Sequence, residues 1–181
     1  MKDHVCNLAG EVTSTWNPTQ YEISELAREA IKKVGYTDEY AARWPNGSTL
    51  NGDIVQVNNF IGQQSPEIAQ GVDREGWGDQ GCFMGMATNE REYGYMPMDK
   101  YFANRIGTHL YKVAKANHSF IGLDIKVLVS IKNRNEVEQV VVAAPMRPEH
   151  EKQSVDYIKS FLSSDSHTGS PRLMAFLPLR R

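Results

Sequence analysis

The stretch Asp124-Ile125-Lys126-Val127-Leu128-Val129-Ser130-Ile131 decides the fold of this chain. Branched apolar residues occupy every second position, 125, 127, 129 and 131, which predicts a β-strand with one face turned to a core. A polar turn at residues 132–136 separates this strand from a second apolar run at residues 137–144. Two such runs around a short polar turn predict an antiparallel hairpin.

Helices are predicted on both sides of this hairpin. Residues 99–116 form the clearest amphipathic helix, because its apolar side chains recur at helical spacing at Phe102, Ile106, Leu110 and Val113. A last helix is predicted over residues 149–162. We therefore expect an α+β fold, with a mainly antiparallel sheet and helices packed on one of its faces.

The first third of the chain is predicted to hold further elements. Residues 5–15 have strand character, and residues 24–34 form a helix with Ser24 as its N-cap and Gly35 as its C-terminal cap. Turn signals make residues 36–52 a loop that leads into a strand at residues 54–61. Pro66 then begins a short helical turn.

Length, net charge and cysteine content limit the possible functions. A length of 181 residues predicts a single soluble domain, and a net charge of -2 argues against a nucleic-acid partner. No apolar run is long enough to cross a membrane, and no targeting segment is visible. Cys6 and Cys82 lack the paired spacing of a zinc site, which favours reduced thiols in a cytoplasmic protein.

Two glycine-punctuated acidic loops point to ligand binding. The run Gly76-Trp77-Gly78-Asp79-Gln80-Gly81 follows the segment Gln64-Ser65-Pro66-Glu67-Ile68-Ala69-Gln70-Gly71-Val72-Asp73. Glycines permit close backbone approach to a ligand, and the Asp79 carboxylate can pair with a ligand ammonium. A simple turn with an Asx hydrogen bond explains Asp79 equally well. Gln64 is either a ligand contact or a surface amide near a helix cap.

Charged residues in the predicted strands are further candidates. Glu11 follows Gly10 in an apolar strand and is either an edge position facing water or a buried acid with a partner. Asp124 and Lys126 share one face of their strand, roughly 7 Å apart, where they suit a sugar hydroxyl and a phosphate of one nucleotide. Taken alone, this pair is more often a solvated strand face.

Other reactive residues are interpreted as structural. The five histidines show no pairing at metal-ligand spacing, and we predict no protein metal site. Methionines and aromatics that follow the glycine-rich run are interpreted as adaptable core. They are Phe83, Met84, Met86, Tyr93, Tyr95, Met96 and Met98.

Six blocks of the sequence, in their order and spacing, resemble the S-adenosylmethionine synthetases, which are methionine adenosyltransferases. The blocks are residues 9–13, 64–73, 78–81, 87–90, 96–97 and 124–126. The resemblance runs over residues 1–162, which would correspond to the end of the family's N-terminal domain and part of its central domain. Residues 163–181 match nothing in the family and are a tail, an edge strand or a partner-binding segment.

The resemblance implies a function and roles for five residues. Glu11, Gln64 and Asp79 would contact methionine, and Asp124 and Lys126 would contact ATP. The implied reaction is attack of the methionine sulfur on C5′ of ATP with loss of triphosphate, in which Lys126 neutralises the leaving charge beside Mg²⁺. The resemblance also implies K⁺ and a homo-oligomer whose sites lie between subunits.

The sequence departs from the family pattern in several places. The His-Pro-Asp-Lys segment is absent, as are the Gly-Pro-Met-Gly-Asp segment and the later phosphate-binding residues. The mobile loop is shortened to Arg74-Glu75-Gly76-Trp77, and Ile121-Gly122-Leu123 replaces the arginine and proline before Asp124. An alternative is therefore a non-catalytic module that binds S-adenosylmethionine or ATP, or a partner subunit of a full-length synthetase completed by another chain.

Overall fold

The computed structural model describes residues 4–44, 50–67, 82–116, 120–133 and 136–164, and describes residues 172–178 by their backbone. Its contacts divide the chain into two units, Met1–Met84 and Gly85–Arg181, in place of the one domain that the length predicts.

The first unit is built on a parallel pair of strands. Strand β1 (Val5–Val12) lies beside strand β2 (Gln56–Gln63), with Val5 opposite Gln56 and Val12 opposite Gln63. Helix α1 (Gln20–Val34) connects the two strands and packs on one face of the pair. The predicted strands therefore form, with β2 shifted two residues towards the C-terminus.

Helix α1 begins earlier than the sequence predicts. Thr19 is the N-cap: its hydroxyl accepts from the Glu22 amide, while the Glu22 carboxylate accepts from the Thr19 amide at 2.7 Å. This reciprocal pair fixes the first turn, so Ser24 is not the cap. Ser24 is buried inside the helix and donates to the Gln20 carbonyl. Gly35 ends the helix with φ 123°, as predicted.

The segment predicted as a loop after α1 contains a short helix, α2 (Asp38–Arg43). Thr37 caps it by accepting from the Tyr40 amide. After α2, Gly52 lies directly against α1. A Cβ atom at this position would be 2.7 Å from Cγ of Lys32. Only glycine fits this approach without displacing a side chain.

The second unit contains the predicted hairpin. Helix α3 (Met98–Lys115) precedes strands β3 (Lys126–Lys132) and β4 (Glu136–Ala144), and helix α4 (Glu151–Ser164) follows. Strand β5 (Arg172–Pro178) pairs with β4, which gives the sheet order β3-β4-β5. The predicted helices and hairpin are confirmed within one or two residues.

The core of the second unit lies between the hairpin and its two helices. Alternate residues of β4 meet one stripe of α3 and the buried side of α4, so both helices cover the same face of the sheet. The innermost side chains are Phe102, Ile106, Leu110, Val140, Val142 and Ile158.

The prediction of a mainly antiparallel sheet is confirmed for the β3-β4 hairpin alone. The β1-β2 and β4-β5 pairings are parallel. β5 lies within the segment for which an edge strand was one of three predictions. Parallel pairing joins strands that are far apart in sequence, so the turn signals that predict hairpins do not predict it.

Candidate functional site

Glu11 and Gln64 both lie at the carboxyl end of the parallel pair. Glu11 lies opposite Gly62, and the register carries the end of β2 towards Gln64. Thr13 donates to Oε1 of Gln64 at 2.7 Å, and the Gln64 amide donates to the Val12 carbonyl at 3.1 Å. Two of the predicted methionine contacts therefore lie at the same end of the strand pair, and Thr13, which the sequence analysis did not single out, holds the Gln64 side chain.

These side chains lie on the face of the pair away from α1. Strand alternation puts Glu11 in one row with Asn7 and Ala9, and Asn7 bonds across the strands to Asn58 at 2.9 Å. Glu11 is exposed, so it is the water-facing position and not the buried acid of the two alternatives. Its neighbours Gly62 and Gly10, with φ 154°, leave open space around the backbone. An exposed carboxylate beside glycines can receive a ligand ammonium without losing an internal partner.

Gln64 also stands immediately before a helical turn. Pro66 and Glu67 have helical backbone, as predicted, and Gln64 is half-buried. The remaining residues of the two glycine-punctuated loops, including Gln70, Asp73 and Asp79, lie outside the described residues. The role of Asp79 stays a prediction.

Asp124 and Lys126 lie in the second unit and contact each other. Nζ of Lys126 is 3.3 Å from Oδ2 of Asp124, with side chains 64% and 49% exposed. Ile125 and Val127 turn towards the core on the opposite face, as the alternation predicts. This pair therefore occupies the sheet face away from the helices. An ion pair so exposed contributes at most about 1 kcal/mol, so a nucleotide can replace it at small cost.

Two further sequence blocks are joined by a tight loop in the second unit. The Thr88 amide donates to the Tyr95 carbonyl at 2.9 Å, and the Thr88 hydroxyl donates to the Met96 carbonyl. Gly94 and Tyr95 both adopt positive φ, at 63° and 62°. Burial raises the pKa of Tyr93, with a smaller contribution from a hydrogen bond to Glu92, so its phenol stays neutral. Tyr93 is a packing residue here.

The interpretation of the methionines and aromatics as core is wrong for part of the set. Phe83, Met84 and Met86 are 95%, 96% and 79% exposed, whereas Met98 is buried. The three exposed residues directly follow the glycine-rich run at residues 76–81.

A shallow cavity of about 410 Å³ lies between α3 and β3, on the helix side of the sheet. Of the predicted site residues that the structure describes, Glu11, Gln64, Asp124 and Lys126 are not among its lining residues. Its walls are Ala103, Asn104, Gly107, Thr108, Tyr111, Ile125 and Val127.

Over the described residues, no group of three or more histidine, cysteine or acidic side chains is placed to hold a metal ion. No helix among them is long and apolar enough to span a bilayer. Cys6 and Cys82 are free thiols.

Residues 74–166, half of the chain, match the family model described as the central domain of S-adenosylmethionine synthetase. The chain belongs to the S-adenosylmethionine synthetase family. Its relatives include the S-adenosylmethionine synthase of Helicobacter pylori strain J99, 37% identical over 155 residues. That match covers 80% of this chain and 37% of the relative. A protein of the same name from H. pylori strain Shi470 is 36% identical over 165 residues, which cover 83% of this chain and 40% of the relative.

A solved structure is similar as well. The unusual S-adenosylmethionine synthetase from Campylobacter jejuni has a TM-score of 0.73 and 26% identity, over 94% of this chain and 46% of that one. The chain thus spans less than half the length of these synthetases. The resemblance seen in the sequence blocks is confirmed, and the helices and small sheets agree with the α+β class.

Proposed function

We propose that this chain is a methionine adenosyltransferase-like protein that forms S-adenosylmethionine from ATP and methionine. The observation that carries the proposal is one ordered match, over 80% of the chain, to a protein named S-adenosylmethionine synthase. We further propose that it acts in the cytoplasm as a homo-oligomer, with sites shared between subunits or completed by another chain. In this assignment, residues 1–162 are the end of the N-terminal domain and part of the central domain.

The proposed reaction needs alignment and charge neutralisation. The sulfur lone pair of methionine forms a bond to C5′ of ATP while the C5′–O5′ bond breaks, and its electrons leave with the triphosphate. The product is a sulfonium, and hydrolysis of the triphosphate to pyrophosphate and phosphate then consumes one water. A thioether is a nucleophile without losing a proton, so no general base is required.

Glu11, Gln64 and Asp79 are assigned to methionine. The Glu11 carboxylate is exposed and pairs with the ammonium group, and the Gln64 side chain, held by Thr13, offers a hydrogen bond to the amino acid. This assignment is supported by the shared position of Glu11 and Gln64 at the carboxyl end of the strand pair. Ligands commonly bind at that end of parallel strands.

Asp124 and Lys126 are assigned to ATP. A carboxylate accepts from ribose hydroxyls, and an ammonium stabilises the triphosphate as negative charge develops on it. Their exposure and their weak pairing at 3.3 Å support the assignment, because both groups are available to a ligand at low cost. Lys126 is thus the proposed catalytic residue.

Magnesium enters this proposal as part of the substrate MgATP. Mg²⁺ is usually held by substrate phosphates and only one or two protein carboxylates. Within the described ranges no group of three or more histidine, cysteine or acidic side chains is placed to hold a metal ion, and magnesium is proposed to arrive on the phosphates of ATP. No step is assigned to a protein-bound metal, and K⁺ is proposed from the family alone.

The test is product formation. Purified protein is incubated with ATP, methionine, Mg²⁺ and K⁺, alone and with the parts of a relative that lie outside the match, and S-adenosylmethionine is measured by mass spectrometry. Product in either mixture supports the proposal. Ligand binding by calorimetry without product favours the alternative, a non-catalytic module or partner subunit, and absence of binding and turnover contradicts both.

Variants separate the two assignments. Lys126→Ala is expected to lower kcat by about 100-fold or more, as for the loss of one preorganised group at a developing charge. Lys132→Ala, on the same strand and exposed, is the matched control. Glu11→Gln is expected to raise the KM for methionine and leave that for ATP unchanged, with the exposed Glu29→Gln as control. Equal effects of Lys126→Ala and Lys132→Ala would contradict the ATP assignment.

A further inference from the structure

The main chain and the side chain of Gln64 are both tied to the residues that end and follow β1. The Gln64 amide donates to the Val12 carbonyl at 3.1 Å, and Oε1 of its side chain accepts from the Thr13 hydroxyl at 2.7 Å. The first bond continues the parallel pairing beyond Val12 and Gln63. Thr13 therefore lies across from Gln64, two residues after Glu11 and on the same side of the strand pair.

The space beside Gln64 is open, because a glycine occupies the preceding row of this face. Gly62 pairs with Glu11 and comes two residues before Gln64, so all three belong to one side of the pair. A Cβ atom at Gly62 would have nothing within 4 Å. A small ligand can therefore lie over Gly62, with the Glu11 backbone across from it and the Gln64 backbone about 7 Å further along the chain.

The bond from Thr13 decides which end of the Gln64 amide a ligand can meet. It occupies Oε1, so the Nε2 group, with its two protons to donate, is the end left for a ligand. A donor in this place suits the carboxylate of an α-amino acid, while the Glu11 carboxylate suits its ammonium. Threonine is β-branched and stiff at χ1, so its hydroxyl keeps a defined direction.

Orientation, more than stability, is the expected consequence of this bond. Thr13 is exposed and Gln64 is half-buried, so water readily replaces the bond when it is lost. A glutamine side chain has several rotatable bonds, whose freedom is lost when it contacts a ligand. Holding the side chain beforehand removes part of this entropy cost from binding.

We propose that Thr13 is a positioning residue, which holds the Gln64 amide with its NH₂ group turned to the carboxylate of the bound amino acid. The inference rests on the proposed function, because it takes methionine as the ligand. Thr13 acts through Gln64 and is assigned no contact with the substrate.

The first test is calorimetric titration of the full chain with methionine and, separately, with MgATP. Thr13→Val keeps the branched shape without the hydroxyl and should weaken methionine binding about threefold to tenfold, with ATP binding unchanged. Thr13→Ser keeps a hydroxyl and should restore most of the affinity. Asn7→Val is the matched control, because it removes the bond of Asn7 with Asn58 across the same two strands, and it should bind methionine as the wild type does.

Gln64→Glu tests the direction of the amide. It keeps an oxygen for Thr13 but replaces the NH₂ group by a negative oxygen, so methionine should bind at least about tenfold more weakly. Unchanged or tighter binding would mean that an acceptor faces the ligand and would overturn the proposal. In a Gln64→Ala background, Thr13→Val should have no further effect, because the group that it positions is gone.

NMR relaxation of the Gln64 side-chain amide gives a readout that needs no ligand. The amide should be more mobile in Thr13→Val than in the wild type and Thr13→Ser. Equal mobility in all three, or equal losses of methionine affinity in Thr13→Val and Asn7→Val, would overturn the proposal. A wild type that binds no methionine would overturn the proposed function and this inference with it, whereas wild-type affinity in Thr13→Val would overturn this inference alone.

Discussion

The two units differ in how much of their own surface they bury. In the second unit, 13 buried residues join two helices to one face of the sheet. Among the described residues of the first unit, the corresponding buried cluster is Ile31, Val55 and Val57, between α1 and the strand pair. Both units have amphipathic helices and strands. Among the described residues, the larger core lies where two helices pack on one face of a sheet.

The uncovered part of the first unit coincides with its candidate site. Cys6 and Leu8 in the first half of β1 face the helix, whereas Ala9 to Val12 and Phe60 to Gln63 are exposed along both strands. Parallel strands are ordinarily covered on both faces, so this end of the pair is suited to a partner, a ligand or another subunit. Glu11 is one of these exposed residues.

The largest expected effect tests the core of the second unit. Phe102→Ala should lower the free energy of unfolding by about 3–5 kcal/mol, because the side chain is fully buried against Tyr93 and Tyr101. Urea denaturation monitored by circular dichroism measures it. Tyr21→Ala on the exposed surface of α1 is the control and should change little. A loss below about 1 kcal/mol would mean that this core does not dominate stability.

A matched pair of isoleucines compares the two cores directly. Ile106→Ala should cost near the upper end of about 2–5 kcal/mol, and Ile31→Ala near the lower end. Ile106 is completely buried within the larger cluster, whereas Ile31 is 9% exposed in the small one. Denaturation curves of both variants, fitted for each unit, give the comparison. Equal losses would contradict the distinction between the two units.

A smaller effect is expected at the start of α1. Thr19→Ala should destabilise the first unit by about 1 kcal/mol, because it removes the hydroxyl that caps the helix. Hydrogen bonds from Thr19 also lower the pKa of Glu22 below its ordinary value of 4.5, so their contribution is present above that value and is lost as the pH falls through the folded pKa. Thermal unfolding at pH 7 and pH 3 should show a smaller difference between wild type and variant at pH 3. An unchanged difference would show that the bond from the Thr19 hydroxyl to the Glu22 carboxylate contributes no stability, since the backbone bond is kept in the variant.

The smallest effect is expected where the predicted ATP contacts lie. Asp124→Asn should change the free energy of unfolding by less than about 1 kcal/mol, because both members of the ion pair are well exposed. Chemical denaturation in low and high salt measures this change. A larger loss would indicate that the pair stabilises the sheet and would weaken its assignment to a ligand.

Local patterns predicted much of the fold and part of the site. Strict alternation in residues 125–131 identified β3 and its core-facing side, and the helical spacing of Phe102, Ile106 and Leu110 identified α3. The start of α1 was wrong because Ser24 and Thr19 are both good caps. Only the reciprocal bond to Glu22 distinguishes them. Whether Glu11 is exposed or buried could not be predicted, because the sequence of one strand does not show which elements pack on that strand.

The sequence by itself determined the family, the main helices and the hairpin, because these depend on residue order, periodicity and turns within short segments. Tertiary structure decided the parallel pairings of β1 with β2 and β4 with β5, the hydrogen bond of Thr13 to Gln64, and the stacking of His109 in α3 on Phe161 in α4. Those contacts join residues about 30 to 60 positions apart. Which distant segments pair depends on the packing of the whole unit, and no local pattern carries that information.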